Sequence, residues 1–252
     1  MSTDSPASSP AGPRFPSTLA PPQYYEGLAE RFSASVLPTL SPFFAALPRP
    51  GARALELASG NGTHVALYAQ THPGIEWQPS ECDDFGCRAV DETVRREGIE
   101  NVVQEAVRVD VIEGEGWEAL RRRLDGESDD VKEAFDLVLG NNFIHMIPFP
   151  EGPRRIFTSL LSPSLVSPSA KLLLYGPFKH DTGFFSPSDE AFDKEISSRP
   201  SSYPLGLRSI DGLARLADET GWRLSERIGV AKGNWVLVFE QQEGRAAGGG
   251  QS

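Results

Sequence analysis

The chain has 252 residues and a formal net charge of −11 at pH 7. That balance excludes a broad positive surface and, with it, non-specific binding to nucleic acid. The two cysteines, Cys82 and Cys87, are too few and too close together to predict a disulfide framework or a four-ligand zinc site. The sequence shows neither a signal-peptide core nor an apolar run of bilayer length, and we expect a soluble, cytoplasmic protein, with a nuclear location left open.

Both ends of the chain differ in composition from its middle. Residues 1–22 are rich in Ser and Pro, and residues 242–252 are rich in Gly and Ala. Neither segment can bury enough apolar area to offset the entropy of ordering it, so we expect two flexible tails. A transit peptide is the alternative for the first segment, although its single arginine and six prolines fit an Arg-rich amphipathic helix poorly. Residues 23–241 have the size of one α/β domain with a full core.

The middle of the chain alternates between predicted helices and predicted strands. A first helical layer spans residues 24–47, and we expect Pro38 and Pro42 to break it. The predicted strands cover residues 52–58, 75–80, 102–110, 135–141, 171–175, 222–230 and 234–240. The predicted helices between them cover residues 63–70, 87–97, 117–124, 154–161 and 209–220. This alternation predicts a Rossmann-like α/β fold with a mostly parallel sheet, helices on both faces and a final antiparallel hairpin.

A glycine-rich bend follows the first predicted strand. Residues 52–64 read ARALELASGNGTH, in which Gly60 and Gly62 can adopt a positive φ and let a ligand approach the backbone closely. A dinucleotide site would have a third glycine where Val65 stands, and no G-K-[ST] follows to bind a triphosphate. Glu56 before the bend suits a ligand with a cationic amino-acid end, such as S-adenosylmethionine. The same strand, bend and helix also occur in many α/β proteins that bind nothing there.

The ends of the second and third predicted strands offer two further carboxylates. In an open α/β sheet the ligand lies outside the carboxyl ends of the strands. Glu81 stands where a carboxylate would accept hydrogen bonds from ribose hydroxyls, and an exposed loop carboxylate is an equally good interpretation. Asp110, followed by Val111, could bind the adenine amino group, and an ordinary loop aspartate is the alternative.

The fourth predicted strand ends in the sequence GNNFIHM. Asn141 and Asn142 offer amide donors and acceptors that could orient a methyl acceptor. His145 is the candidate general base, because imidazole titrates near neutral pH. A packed or surface histidine is the alternative interpretation.

The fifth predicted strand ends in a stiff turn that contains Tyr175, Phe178 and Lys179. These residues, together with Phe143, are candidates for contact with a flat or partly apolar acceptor, and the aromatic side chains could instead belong to the core. We expect no metal site, because the four histidines are scattered and no carboxylate follows the fourth strand.

Six short motifs lie at or near these strand ends. They read ELASGNGTH, WQPSECD, NNFIH, YGPFK, SPSDEAFD and GNW. In combination they resemble the methyltransferase-like 26 family, a branch of the class I S-adenosylmethionine-dependent methyltransferases, over about residues 28–239. The resemblance implies a seven-stranded sheet with an antiparallel last strand and S-adenosylmethionine as the cofactor.

The resemblance also implies where the cofactor binds. The predicted cofactor-binding residues are Glu56, Ala58, Ser59, Gly60, Asn61, Gly62, His64, Glu81, Asp110, Val111 and Asn141. The chain departs from the family pattern at four positions, which are Asn61 in place of threonine, Glu81 in place of aspartate, and Phe32 and Asp189 in place of asparagine. Residues 162–169 replace a Gly-Gly turn of the family with a serine-proline loop, which we expect to be a tolerated surface insertion.

The sequence therefore predicts an S-adenosylmethionine-dependent methyltransferase that acts on a small or partly aromatic acceptor. We expect no broad nucleic-acid surface and no membrane partner. Two other classes stay open, namely an S-adenosylmethionine-binding sensor or scaffold without catalysis, and an NAD-dependent oxidoreductase.

Overall fold

The computed structural model describes residues 28–48, 50–102, 104–125, 134–230 and 233–243, with the backbone alone for residues 28–33. The helices are α1 (Leu28–Ala45), α2 (Thr63–Thr71), α3 (Asp84–Glu97), α4 (Gly114–Asp125), α5 (Glu151–Ser159), α6 (Pro187–Ser197) and α7 (Ile210–Glu219). The strands are β1 (Ala52–Leu57), β2 (Ile75–Glu81), β3 (Val107–Arg108), β4 (Phe135–Asn141), β5 (Val166–Pro177), β6 (Trp222–Gly229) and β7 (Asn234–Gln241). The tail predicted at residues 1–22 lies outside the described residues, as do residues 244–252 of the second tail.

The seven described strands form one sheet in the order β3-β2-β1-β4-β5-β7-β6. The pairs β3-β2, β2-β1, β1-β4 and β4-β5 are parallel, whereas β7 runs antiparallel to both of its neighbours. The predicted Rossmann-like architecture is confirmed. From β1 the chain continues to β2 on one side of that strand, and β4 later pairs with β1 on its other side. A ligand of an open α/β sheet binds at this switch point.

Helices cover both faces of the sheet. On one face, α1, α2 and α3 pack over a cluster that contains Val36, Phe44, Tyr68 and Trp77. The opposite face carries α4, α5 and α7, whose cluster includes Trp117, Phe157 and Trp222. Side chains of a strand alternate between faces, so each strand end presents one residue to each helical layer. Within the described ranges, no helix combines the length and the apolar character needed to cross a bilayer.

The helix α1 continues through Pro38 and Pro42, so the predicted break is wrong. Each proline removes one helical hydrogen bond, but both lie on the exposed side of the helix. The buried side chains of Val36, Leu40 and Phe44 fix the opposite side to the sheet. Tertiary packing of this stripe outweighs the local helix-breaking tendency.

Most predicted bounds shift by a few residues in the structure, and two segments change more than that. The strand predicted at 102–110 is reduced to β3, because side chains occupy the preceding backbone: Gln78 donates to the Glu105 carbonyl at 3.1 Å, and Asp91 accepts from the Ala106 N–H at 2.7 Å. The expected surface insertion at 162–169 belongs partly to β5, which begins at Val166. Val166 is buried and pairs with Phe135, and a register shift after that pair takes up the extra length.

Candidate functional site

The bend between β1 and α2 has the backbone conformation that its glycines allow. Gly60 has φ 64° and Gly62 has φ 82°, both in the left-handed region, and Ala58 adopts φ 54° without being glycine. A Cβ on Gly62 would lie 3.1 Å from the Val90 Cα, so α3 packs against the bend at this point. A Cβ on Gly60 would meet nothing within 4 Å. The bend therefore has one closed side, toward α3, and one open side.

Short polar side chains hold the bend in place. The buried Ser59 donates its N–H to the Ser80 carbonyl at 2.9 Å, and its hydroxyl accepts from the Ser80 N–H at 3.3 Å. Asn61 is exposed, and its side-chain oxygen accepts from the N–H and the hydroxyl of Thr63. Ser59 and Asn61, both predicted to bind cofactor, thus brace the turn through these bonds.

Glu56, at the end of β1, is fully buried. Its Oε1 accepts a hydrogen bond from the Asn141 Nδ2 at 2.8 Å, whereas Oε2 has no partner among the described residues. Burial raises the pKa of this carboxyl to about 7; the neighbouring Ser59 hydroxyl and the hydrogen bond from Asn141 act in the opposite direction, and the charge of Glu81 adds to the rise. A buried carboxylate oxygen without a partner costs free energy, which a cationic ligand group would recover.

A chain of hydrogen bonds continues from Glu56 to α2. The Tyr68 hydroxyl donates to the Asn141 Oδ1 at 3.4 Å, and it lies 3.3 Å from the His64 Nδ1. Tyr68 is fully buried and His64 is half-buried, and burial lowers the pKa of His64 to about 4. His64 was predicted from the sequence, but Tyr68 was not, because a tyrosine at helical spacing looks like part of an apolar face.

Glu81, at the end of β2, lies directly beside the bend. Its Oε1 accepts from the Gly60 N–H at 2.7 Å and its Oε2 from the Cys82 N–H at 2.8 Å. Burial raises the pKa of Glu81, and these two backbone hydrogen bonds oppose the rise. Gly86 in α3 makes room for this carboxylate, because a Cβ there would lie 2.8 Å from the Glu81 Cγ. No signal in the sequence indicated this role of Gly86, because the helix was predicted to begin only at Cys87.

Asp110 and Val111 follow β3, on the far side of Glu81 from the bend. The Asp110 Oδ1 accepts from the Ile112 N–H at 3.2 Å, and the Val111 carbonyl accepts from the Trp117 indole at 3.3 Å. Both residues are buried. Their main chain is tied to β2, since the Val109 N–H donates to the Glu81 carbonyl at 2.7 Å. The ends of β1, β2 and β3 thus bring three carboxylates to one edge.

Asn142, the second amide of β4, has φ 53° and is half-buried. Its N–H donates to the Tyr175 carbonyl at 2.8 Å. Its side-chain oxygen lies against Gly176, where a Cβ would come within 3.3 Å of it. Asn142 therefore sits where the ends of β4 and β5 meet.

His145 is buried in the 3₁₀ turn that follows β4, residues Ile144–Met146. Its ring contacts Phe192 of α6 at a centroid distance of 5.5 Å, and its Nδ1 has no partner in the described part of the chain. Burial lowers its pKa to about 3, and the charges of Arg208 and Arg199 lower it further. The imidazole is therefore neutral at pH 7 and enclosed on the side of α6.

The aromatic candidates lie in the core. Phe143 and Phe178 belong to the cluster under α4, α5 and α7, and Tyr175 to the cluster under α1, α2 and α3. At most 7% of any of these side chains is exposed, which fits the alternative that they belong to the core. Lys179 is half-buried, with its Nζ 4.0 Å from the Asp193 Oδ1.

The structure thus joins most of the predicted cofactor residues, and one predicted catalytic residue, Asn141, lies among them. Glu56, the bend, Glu81 and Asn141 meet at the switch point, with Asp110 at its side. His145 and Phe178 lie apart from this group. In the described residues, no group of three His, Cys, Asp or Glu side chains is arranged to hold a metal ion.

Solved S-adenosylmethionine-dependent methyltransferases share this fold. Mitomycin 7-O-methyltransferase MmcR matches 89% of this chain and 59% of its own length, at 15% identity and a TM-score of 0.63. CalO1, a methyltransferase in calicheamicin biosynthesis solved with S-adenosylhomocysteine bound, matches 86% of this chain and 56% of its own length, at 16% identity and a TM-score of 0.59. The chain therefore spans about three fifths of the length of these two proteins. The PH0226 protein from Pyrococcus horikoshii OT3 matches 90% of this chain and 96% of its own, at 16% identity and a TM-score of 0.56.

The architecture is thus the class I, Rossmann-like methyltransferase fold. Residues 23–241 match the family described as "Protein of unknown function (DUF938)", and the chain belongs to that family.

Proposed function

We propose that this chain binds S-adenosylmethionine at the bend between β1 and α2 and transfers its methyl group to a small or partly aromatic acceptor. The observation that carries the proposal is the buried Glu56 carboxyl, whose Oε2 has no partner among the described residues. This oxygen stands beside a glycine bend at the switch point of the sheet, where α/β proteins bind their ligands.

The charges at this edge fit a cationic ligand. Glu56, Glu81 and Asp110 are all acidic and buried. A methionyl ammonium and a sulfonium would be attracted by them, whereas a pyrophosphate would be repelled. The oxidoreductase alternative, which requires NAD, is therefore not favoured.

We assign one residue to each polar part of the cofactor. Glu56 would bind the ammonium group, and Glu81 would accept from the ribose hydroxyls. Each oxygen of Glu81 accepts one backbone hydrogen bond and retains a second lone pair for this purpose. Asp110 would face the adenine amino group, and its buried carboxyl at the end of β3 supports that role.

The bound cofactor supplies an activated methyl group, and the chain has to hold the acceptor in line with it. We propose Asn142 for that task, because it lies where β4 and β5 end and its side chain is only half-buried. Lys179, at the same edge of the sheet, remains a proposed contact for the acceptor. His145 remains the proposed base for an O–H or N–H acceptor, with movement of α6 as the condition for its access.

The six strand-end motifs support a finer assignment to the methyltransferase-like 26 family. A non-catalytic binder would use the same cofactor site and is distinguished only by the absence of turnover.

Calorimetry on the full chain tests the proposal. S-adenosylhomocysteine should bind and NAD should not, and Glu56→Gln should weaken the binding at least tenfold through the loss of a buried ion pair. Glu76→Gln removes a half-exposed carboxylate of β2 and is the matched control. Binding of NAD, or equal affinities of the two variants for S-adenosylhomocysteine, would contradict the cofactor assignment. Methyl release over a panel of phenols, amines and thiols then separates an enzyme from a binder.

A further inference from the structure

Tyr68 connects α2 to the carboxyl that the proposed function assigns to the cofactor's ammonium group. Glu56, Asn141 and Tyr175 point from neighbouring strands toward the helical layer of α1 and α2, and Tyr68 projects toward them from α2. The four side chains are each at most 7% exposed. They form a buried polar cluster within an otherwise apolar layer.

The hydrogen bonds of this cluster have one consistent direction. The Asn141 Nδ2 is the donor to the Glu56 Oε1 at 2.8 Å, which turns the amide oxygen toward Tyr68. The opposite amide orientation would place two oxygens against each other. The Tyr68 hydroxyl has a single hydrogen, and it donates this hydrogen to the Asn141 Oδ1. The neutral His64 can then donate to the same hydroxyl from Nδ1.

Two oxygens of the cluster lack hydrogen-bond partners among the described residues, the Glu56 Oε2 and the Tyr175 hydroxyl. The Tyr175 hydroxyl lies beside the side chains of Ser35 and Asn234 without a hydrogen bond of normal geometry to either. A buried polar cluster in which some members are bonded and others are not indicates that a further group completes it.

We propose that Tyr68 is a positioning residue for the amino-acid end of the cofactor. Its hydroxyl fixes the Asn141 amide, that amide fixes the Glu56 Oε1, and the Glu56 Oε2 is left for the ligand's ammonium group. The inference rests on the proposed function and adds to it a residue that acts through Asn141 rather than by touching the ligand.

The substitution Tyr68→Phe removes the hydroxyl and keeps the ring. The ring packs against Phe44 and Trp77 at centroid distances of 5.5 and 5.7 Å, and these contacts persist in the variant. Thr71→Val is the control, because it removes another hydroxyl of α2, one that is exposed and contacts only neighbouring carbonyls of α2 and the His72 ring.

The experiment compares two ligands by calorimetry on the full chain at pH 7.5. S-adenosylhomocysteine has the amino-acid end, whereas 5′-methylthioadenosine has the same nucleoside and sulfur without it. Tyr68→Phe should lower the affinity for S-adenosylhomocysteine about fivefold, as expected for one lost hydrogen bond, and change the affinity for 5′-methylthioadenosine less than twofold. In the Glu56→Gln background, Tyr68→Phe should have no further effect, because the group that it positions is already gone.

The outcomes separate the two claims. Equal losses for both ligands, no loss for either, or an undiminished loss in the Glu56→Gln background would overturn the positioning role while the cofactor assignment stands. Failure of the unmodified chain to bind S-adenosylhomocysteine would overturn the proposed function and the inference together.

Discussion

Replacing Glu56 by Gln should stabilise the ligand-free protein while it weakens cofactor binding. The side chain is fully buried, and burial raises its pKa to about 7 from an ordinary value of 4.5. Between these two pH values the folded state holds a proton that the unfolded state has released. Stability therefore falls as the pH rises through this window, and the loss is complete above pH 7.

The magnitude follows from the size of the shift. A difference of 2.5 pKa units at about 1.4 kcal/mol per unit gives a penalty of about 3 kcal/mol at pH 8. Gln carries no charge, and its side-chain oxygen can still accept from the Asn141 amide. The variant should match the original chain at pH 4.5 and exceed its stability by about 3 kcal/mol at pH 8.

Urea unfolding of the ligand-free chain at several pH values from 5 to 8, followed by tryptophan fluorescence, measures this difference. Glu76→Gln is the control for the loss of a half-exposed carboxylate, which lies 3.8 Å from the buried Arg53, and it should change stability by less than about 1 kcal/mol, with no dependence on pH above 5. A Glu56→Gln difference that is constant with pH, or that favours the original chain at pH 8, would refute the reasoning.

Three further predictions test the packing and the burial of side chains around the site. Gly62→Ala should lower the free energy of unfolding by roughly 1–3 kcal/mol more than Gly60→Ala. Both substitutions strain a left-handed φ, but only the new Cβ at position 62 meets Val90. Equal urea midpoints of the two variants would contradict this. Gly140→Ala should lower the free energy of unfolding by roughly 1–3 kcal/mol, because the new Cβ overlaps the Phe143 ring. An unchanged melting temperature would refute that overlap. Relative to His145→Gln, the original chain should lose about 3 kcal/mol of stability between pH 6.5 and 4.5, because the unfolded chain takes up a proton at His145 that the folded chain does not. Parallel stability curves would show that the imidazole is not buried as described.

Local patterns in the sequence were sufficient for much of the fold. The predicted bounds of β4 match the structure residue by residue, because a short, mostly apolar run between polar segments marks a buried strand. The bend was also evident, since two glycines separated by one residue after a strand indicate a turn with positive φ. Glu56, Glu81 and Asn141 could be assigned to one edge because the carboxyl ends of parallel strands meet there.

Features that depend on packing between distant segments could not be predicted. The continuity of α1 through Pro38 depends on an apolar stripe that is fixed to the sheet. The enclosure of His145 depends on Phe192, which comes from a helix 47 residues further along the chain. The role of the Tyr68 hydroxyl likewise requires Asn141, 73 residues away. Composition and periodicity contain no information on these pairings.

The central claim is that the first β-α crossing binds an adenosyl sulfonium, and a crystal structure with S-adenosylhomocysteine at pH 7.5 tests it most directly. The ligand's ammonium group should lie within hydrogen-bond distance of the Glu56 Oε2, and the ribose hydroxyls should contact Glu81. A ligand bound elsewhere, or a bend closed by its own side chains in crystals grown with saturating ligand, would contradict it.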